Sequence, residues 1–121
     1  MCMNKRCLAL FFAVILPATT LHSDVPPDQV DEVQHLINYL ETSDCNMVRN
    51  GKSYNGKDGA KHVRRKYDHF RDEISSTEDF IAYSATKSLM SSKLYQVQCP
   101  GQEAVPSADW LLEELEVFRS R

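Results

Sequence analysis

Apolar residues recur every three or four positions in two long stretches of the chain, and this spacing predicts two amphipathic helices. The first helix is predicted over residues 28–42 and the second over residues 58–74. Their apolar stripes are Val30, Val33, Leu36, Ile37 and Leu40 in the first helix and Ala60, Val63, Tyr67, Phe70 and Ile74 in the second. The N-cap signature S-T-E-D at 76–79 predicts a shorter helix over 77–88, and Pro106-Ser107 opens a last helix with Ser107 as its N-cap.

Shorter segments between these helices have the features of strands. Residues 45–49 and 52–54 flank Asn50-Gly51, the strongest dipeptide signal for a tight hairpin, and residues 94–99 alternate between polar and apolar. The order is therefore α-β-β-α-α-β-α. This order predicts an α+β fold in which a small antiparallel sheet packs on four helices.

The N-terminal residues predict export. Lys5 and Arg6 precede an apolar run over residues 7–16, which Pro17 ends. This is the layout of a secretory signal peptide, and the run is shorter than the roughly 20 residues that span a bilayer. We expect a signal peptide over residues 1–23 and a single small domain over residues 24–121, exported to the periplasm as a soluble monomer without stable membrane insertion. Cleavage after Ala18 and an uncleaved anchor are the alternatives.

Cleavage would leave two cysteines, Cys45 and Cys99, in an oxidising compartment. Only one intramolecular pairing is available, so we expect a disulfide that closes a loop of 55 residues, counting both ends. Two free thiols and pairing between molecules are the alternatives.

Charge is segregated along the chain. Residues 24–45 carry six acidic residues and no Lys or Arg, whereas residues 49–71 carry eight basic and two acidic residues. The net charge of the whole chain is −3, which argues against a nucleic-acid-binding domain, since such domains are basic overall. The basic stretch could be neutralised within the fold, in part by Arg64 and Asp68 at i,i+4, or it could bind an anionic partner.

Two motifs suggest nucleotide binding or metal binding, but each lacks residues that the function requires. GKSYNGKD at 51–58 resembles a phosphate-binding loop, but Asp58 stands where the loop needs a hydroxyl for Mg²⁺, so we interpret it as a hairpin turn leading into a helix. His62 and His69 lie seven residues apart on a predicted helix, whereas a zinc site needs three or four ligands. No C-x-x-C or G-x-S-x-G motif occurs, and no cofactor or metal is expected.

Five segments, in this order, resemble the YfeK-like family of small exported bacterial proteins. They are VRNGKSY, HVRRKY, STEDFI, SSKLYQVQC and PSADWL. The resemblance implies an R-N-G turn at 49–51, a helix carrying His62, Arg64 and Lys66, and Lys93 with Tyr95 at the entry of a strand. It supports export and implies no activity.

These observations lead to a hypothesis of a non-enzymatic binding or accessory module of the cell envelope. Its partner would be an acidic protein or an anionic envelope ligand, bound by charge-assisted hydrogen bonds. The candidate binding residues are Arg49, His62, Arg65, Lys66 and Lys93. The first alternative is a small hydrolase or metal-dependent enzyme that uses His62 and His69. The second is a structural or stress-tolerance protein without a discrete site.

Overall fold

A computed structural model of the chain describes residues 11–17 and 24–121. The predicted signal peptide lies mostly outside these described residues, and its residues 11–17 are exposed and belong to no helix or strand. Among the described residues, no helix has both the length and the apolar character needed to cross a bilayer.

The described chain contains the four expected α-helices. They are α1 (Val30–Thr42), α2 (Gly56–Phe70), α3 (Thr77–Ser84) and α4 (Ser107–Arg119). Short 3₁₀ turns, Pro27–Gln29 and Arg71–Glu73, precede α1 and follow α2. They contain residues 28–29 and 71–73, which the sequence assigned to the two α-helices, whereas Ile74 has an extended backbone.

Two predictions about helix ends are wrong. The third helix ends at Ser84 and not at residue 88, because the backbone N–H of Tyr95 donates to Thr86 O (2.8 Å) and Lys87 pairs with Leu94, which draws this segment into extended structure. Ser107 is the first residue of α4 and not its N-cap, and its buried hydroxyl has no hydrogen-bond partner within the described residues. The predicted cap of α3 is confirmed, since the Asp79 N–H donates to Ser76 Oγ at 3.0 Å.

The four strands form one antiparallel sheet in the order β2-β1-β3-β4. The strands are β1 (Asn46–Arg49), β2 (Lys52–Asn55), β3 (Gln96–Gln98) and β4 (Val105–Pro106). The sequence pattern did not predict β4, which has only two residues. Pro106 cannot donate a backbone hydrogen bond, so it suits this position at the edge of the sheet.

The GKSYNGKD segment is a hairpin turn that leads into a helix, as expected. Asn50 and Gly51 adopt φ angles of 50° and 77°, which fit a type I′ turn between β1 and β2. Asn55 then caps α2, because its side-chain oxygen accepts from the Asp58 N–H at 2.8 Å.

The core lies between the helices and one face of the sheet. Met47 of β1 and Val97 of β3 are direct partners in the register, and both are fully buried. The apolar stripes of the helices cover them; their buried members include Val33, Leu36, Leu40, Val63, Phe80, Ile81, Leu111 and Leu115. The prediction that Val30 belongs to the buried stripe of α1 is wrong, since Val30 is exposed.

The disulfide between Cys45 and Cys99 is present. Cys45 precedes β1 and Cys99 follows β3, next to the paired residues Asn46 and Gln98. The bond therefore fastens two neighbouring strands through cysteines that are 54 positions apart in the sequence.

Ion pairs neutralise part of the segregated charge. Arg64 binds Glu41 of α1 at 2.6 Å, whereas Asp68 binds Arg71 at 2.5 Å, so the expected Arg64–Asp68 pair is wrong. Arg71 also binds Asp24 at 2.9 Å. The acidic N-terminal part of the domain thus neutralises Arg64 and Arg71, whereas the other basic residues of the same stretch form no ion pair within the described residues.

Candidate functional site: a cationic cleft

The alternation of the strands turns two polar side chains toward the helices. Arg49 lies two residues after the buried Met47, and Tyr95 lies two residues before the buried Val97. Because side chains two positions apart share a face of a strand, Arg49 and Tyr95 lie on the core side of the sheet. The Arg49 guanidinium also stacks over the ring of Tyr54, at 4.2 Å from the ring centroid.

Helix α2 presents two further polar side chains to the same place. His62 and Lys66 are four residues apart, so they share one face of the helix, beside the buried Val63. His62 is partly buried, and Lys66 is only 8% exposed. The sequence placed Lys66 on a basic surface, whereas the structure buries it.

A connected set of hydrogen bonds joins these four side chains. His62 Nε2 lies 3.1 Å from the Tyr95 hydroxyl, and the ammonium of Lys66 donates to the same hydroxyl at 3.3 Å. Lys66 also donates to the backbone carbonyl of Lys87 at 2.7 Å. The guanidinium of Arg49 is hydrogen-bonded to His62 Nδ1.

The direction of these hydrogen bonds follows from the chemistry of the groups. A guanidinium has no lone pair with which to accept, so His62 Nδ1 is the acceptor and the neutral ring carries its proton on Nε2. The Tyr95 oxygen then accepts from both His62 and Lys66. Tyr95 keeps its own O–H proton, for which these contacts provide no acceptor.

The cluster also carries uncompensated positive charge. Within the described chain, the ion pairs involve neither Arg49 nor Lys66. Arg49 Nε is buried and has no hydrogen-bond partner there. Two cations therefore lie largely out of solvent without a carboxylate beside them, an arrangement that is costly unless an anion completes it.

Burial and mutual repulsion shift the pKa values of three members of the cluster. Burial, reinforced by the charges of Arg49, Lys66 and Arg65, lowers the pKa of His62 to about 4. Burial and the charge of Arg49 lower the pKa of Lys66. Burial raises the pKa of Tyr95, although Arg49 opposes this effect. The site thus combines a neutral imidazole and a protonated phenol with two cations at neutral pH.

This cluster forms one wall of a cleft of about 300 Å³, which we name the cationic cleft. Its lining residues are Arg49, Asn50, His62, Lys66, Ser88, Leu89, Met90 and Tyr95. Residues 88–90, from the loop over residues 88–93, contribute to the rest of the lining. Ser88 holds this loop together, because its hydroxyl accepts from the Met90 N–H (3.3 Å) and its backbone N–H donates to Lys93 O (3.0 Å).

Two of the five candidate residues lie outside the cationic cleft. Arg65 is exposed and lines a neighbouring cleft of about 410 Å³, together with Lys61, Tyr54 and Asp58, and Arg49 and His62 line both clefts. Lys93 is exposed in the loop and lines neither cleft. The structure therefore brings together Arg49, His62 and Lys66, with Arg65 at the edge of the group.

The two histidines of the enzyme alternative, His62 and His69, do not share a cleft. His69 is exposed, packs edge-on against Phe70 and lines neither cleft that contains His62. Within residues 11–17 and 24–121, no group of three or more His, Cys, Asp or Glu side chains could hold a metal ion.

Sequence reasoning missed Tyr95, Asn50 and Ser88 as members of the site. Tyr95 was assigned to an alternating strand. The available signal was positional: Arg49 and Tyr95 each lie two residues from an apolar strand residue, and His62 and Lys66 flank an apolar helix residue. A polar residue at such a position shares a face with core residues, so its side chain is directed toward the interior.

Comparison with known proteins places the chain in a family. The model of a family of unknown function, DUF5329, matches residues 27–119. The chain belongs to this family. Searches among curated proteins and among solved structures gave no match. The match covers every residue of the cationic cleft. The resemblance to the YfeK-like family stays a prediction.

Proposed function

We propose that this DUF5329 protein is a non-enzymatic binding module that holds an anionic group in the cationic cleft. The observation that carries the proposal is that Arg49 and Lys66 approach each other around Tyr95, largely buried, without a carboxylate partner in the described chain. Desolvating a cation costs several kcal/mol, and a bound anion recovers that cost through charge-assisted hydrogen bonds.

The hydrogen-bond inventory of the cleft favours an acceptor as the ligand. Arg49 and Lys66 can only donate, Tyr95 has an O–H proton left to donate, and Arg49 Nε has no partner in the described residues. A carboxylate or a phosphate offers several lone pairs and negative charge to these donors. His62, neutral and with both nitrogens engaged, positions Arg49 and Tyr95 and does not act as a base.

We further propose that the protein works in the periplasm after removal of a signal peptide over residues 1–23. The N-terminal sequence pattern supports this, and a disulfide is compatible with an oxidising compartment. The ligand would then belong to the cell envelope. Cell fractionation, with mass spectrometry of the mature N terminus, tests the proposal; retention of residues 1–23 in a cytoplasmic fraction would contradict it.

The binding proposal is tested by titrating the protein with acetate and with inorganic phosphate while the NMR signals of His62 and Tyr95 are followed. We expect Lys66→Met to weaken binding by about 1.5–3 kcal/mol, which is roughly tenfold or more, because it removes a charge-assisted hydrogen bond. Arg49→Met should have a similar effect. Arg65→Met should have a smaller effect, since Arg65 is exposed beside the cleft.

Lys57→Met is the matched control, since Lys57 is an exposed lysine on the first turn of the same helix and lines neither cleft. It should bind both anions as the unmodified protein does. Equal affinities for the Lys66→Met and Lys57→Met variants would refute the proposed site, as would the absence of binding to the unmodified protein.

A further inference from the structure

The cationic cleft has a neighbour of opposite character. A third cleft, of about 350 Å³, is lined by Lys66, Phe70, Ala82, Tyr83, Lys87 and Leu89, and we name it the apolar cleft. The rings of Phe70 and Tyr83 lie 5.5 Å apart, and their side chains form much of its surface together with Ala82 and Leu89. Among the described residues that line it, the charged ones are Lys66 and Lys87.

Two residues belong to both clefts. Lys66 and Leu89 line each of them, so the clefts are adjacent and meet at these side chains. The ammonium of Lys66 bonds to the Tyr95 hydroxyl on the cationic side, and Lys66 also lines the apolar cleft. The aliphatic stem of a lysine can cover apolar surface while its ammonium is bonded elsewhere. A molecule that extends across this boundary meets donors and positive charge at one end and apolar surface at the other.

Two of the apolar side chains that line the apolar cleft are exposed to solvent. Leu89 is 64% exposed, and Tyr83 is 40% exposed. Exposed apolar side chains that line a concave surface are a common mark of a binding site. The basic charges at the boundary select among the ligands that such a surface could take, since they favour an anionic head.

We propose that the ligand is a single-chain anionic amphiphile, with its acidic head in the cationic cleft and its aliphatic tail in the apolar cleft. The inference rests on the proposed function, because it extends the anion site and names the ligand class. The head would accept from Arg49, Lys66 and Tyr95, and the tail would cover Phe70, Tyr83 and Leu89. A carboxylate head and a phosphate head satisfy the same donors.

The test is a calorimetric titration with carboxylates of increasing chain length, each below its micellar concentration. The series runs from acetate through butyrate, hexanoate and octanoate to decanoate, with octanol as the uncharged reference. Complete burial of a methylene group would tighten binding roughly fourfold. Because the apolar cleft is open on one side, we expect about two- to threefold per methylene until the tail exceeds the cleft, and much weaker binding of octanol.

Substitutions in the apolar cleft test whether the aliphatic tail of the ligand binds there. Tyr83→Ser should flatten the dependence on chain length, because it removes an exposed ring from the apolar cleft without touching the cationic cleft. Leu112→Ser is the matched control, since Leu112 is an exposed leucine of α4 that lines neither cleft, and it should keep the slope of the unmodified protein. The slope of the unmodified protein is itself decisive if a variant folds poorly.

The outcomes separate this inference from the proposed function. Equal binding of acetate and decanoate would overturn the amphiphile while leaving the anion site intact. Failure of every carboxylate and of phosphate to bind would overturn both. Equal binding of octanol and octanoate would overturn the anionic head. Sedimentation of the protein with phosphatidylglycerol vesicles, together with a flat chain-length series, would also overturn the inference, in favour of a membrane contact through Leu89 and Met90.

Discussion

His62 is the residue that links the stability of the domain to its site. It lies among Arg49, Lys66 and Arg65, beside Tyr95, and burial with these charges lowers its pKa to about 4. Among the residues that line the two clefts containing His62, Asp58 is acidic, and it lines the cleft of about 410 Å³. Protonating His62 would add a third cation to the cluster and remove the acceptor that Arg49 uses.

We expect the free energy of unfolding to fall as the pH is lowered from about 6.5 to about 4, because the unfolded chain takes up a proton on His62 in this interval and the folded chain does not. Above pH 6.5 neither state is protonated there, so this contribution is constant. His62→Gln should remove the part of the fall in unfolding free energy that is due to this proton uptake. Urea unfolding at a series of pH values measures it.

His69→Gln is the matched control for this prediction, since His69 is an exposed histidine of the same helix. It should retain the slope of the unmodified protein. Arg119 donates to Glu32 and Glu78 and lowers the pKa of both carboxyls, so their contribution to stability is lost as the pH falls below the ordinary glutamate value of 4.5. This loss overlaps the acidic end of the His62 interval and is common to all three proteins. Parallel pH curves for the His62→Gln variant and the unmodified protein would contradict the assignment.

At the scale of residues, the sequence identified the chemistry of the site better than its geometry. Arg49, His62 and Lys66 were singled out for their charge, yet nothing local indicated that Lys66 is buried or that it contacts Tyr95, 29 positions later in the sequence. Those contacts depend on how α2 packs against the sheet. Arg65 shows the reverse case, since it adjoins Lys66 in the sequence and points to solvent.

Among the elements, the junction between α1 and α2 depends on a glycine. A Cβ atom at Gly56 would lie 2.3 Å from the carbonyl oxygen of Leu40 and 3.1 Å from that of Ser43. Both contacts are with backbone atoms at the end of α1, which cannot move aside as a flexible side chain can. Gly56 therefore permits close packing of the two helices, and this role replaces the phosphate-binding one that its sequence context suggests.

Gly56→Ala separates this role from helix propensity. Propensity alone would favour alanine by up to about 1 kcal/mol, whereas the steric clash should destabilise the fold by about 1–3 kcal/mol. We expect destabilisation, measured as a lower urea midpoint. Lys57→Ala, at the exposed next position, should change stability by less than about 0.5 kcal/mol. A Gly56→Ala variant as stable as the unmodified protein would contradict this account.

The elements that the sequence predicted well are those with a strong local signal. Asn50-Gly51 specified the hairpin, and the stripes of α1 and α2 specified the two long helices. Strand β4 and the early end of α3 could not be predicted in this way. Both depend on pairing with segments near Tyr95, since Val105 pairs with Val97 and Lys87 pairs with Leu94.

In the whole molecule, the disulfide and the charge distribution both affect the site formed next to β1 and β3. Cys45–Cys99 fastens β1 to β3, and β1 carries Arg49 while Tyr95 immediately precedes β3. Glu41 of α1 and Asp24 of the N-terminal segment are engaged with Arg64 and Arg71, and Glu32 of α1 is engaged with Arg119, which leaves the cluster around Lys66 positive. The fold thus fixes the register of the strands that form the cationic cleft and keeps its charge uncompensated.

Reduction of the disulfide should therefore affect both stability and binding. The bond spans 54 positions, and removing it from a loop of this length releases chain entropy worth about 4 kcal/mol at most. We expect a clearly lower melting temperature in reductant and weaker binding of acetate, because Arg49 and Tyr95 are no longer held in one register. A Cys45→Ala/Cys99→Ala double variant should melt at that lower temperature, and its melting temperature should not change when reductant is added. This variant controls for other effects of the reagent. Equal melting temperatures of the oxidised and reduced protein would show that hydrogen bonding and the core alone hold β1 to β3.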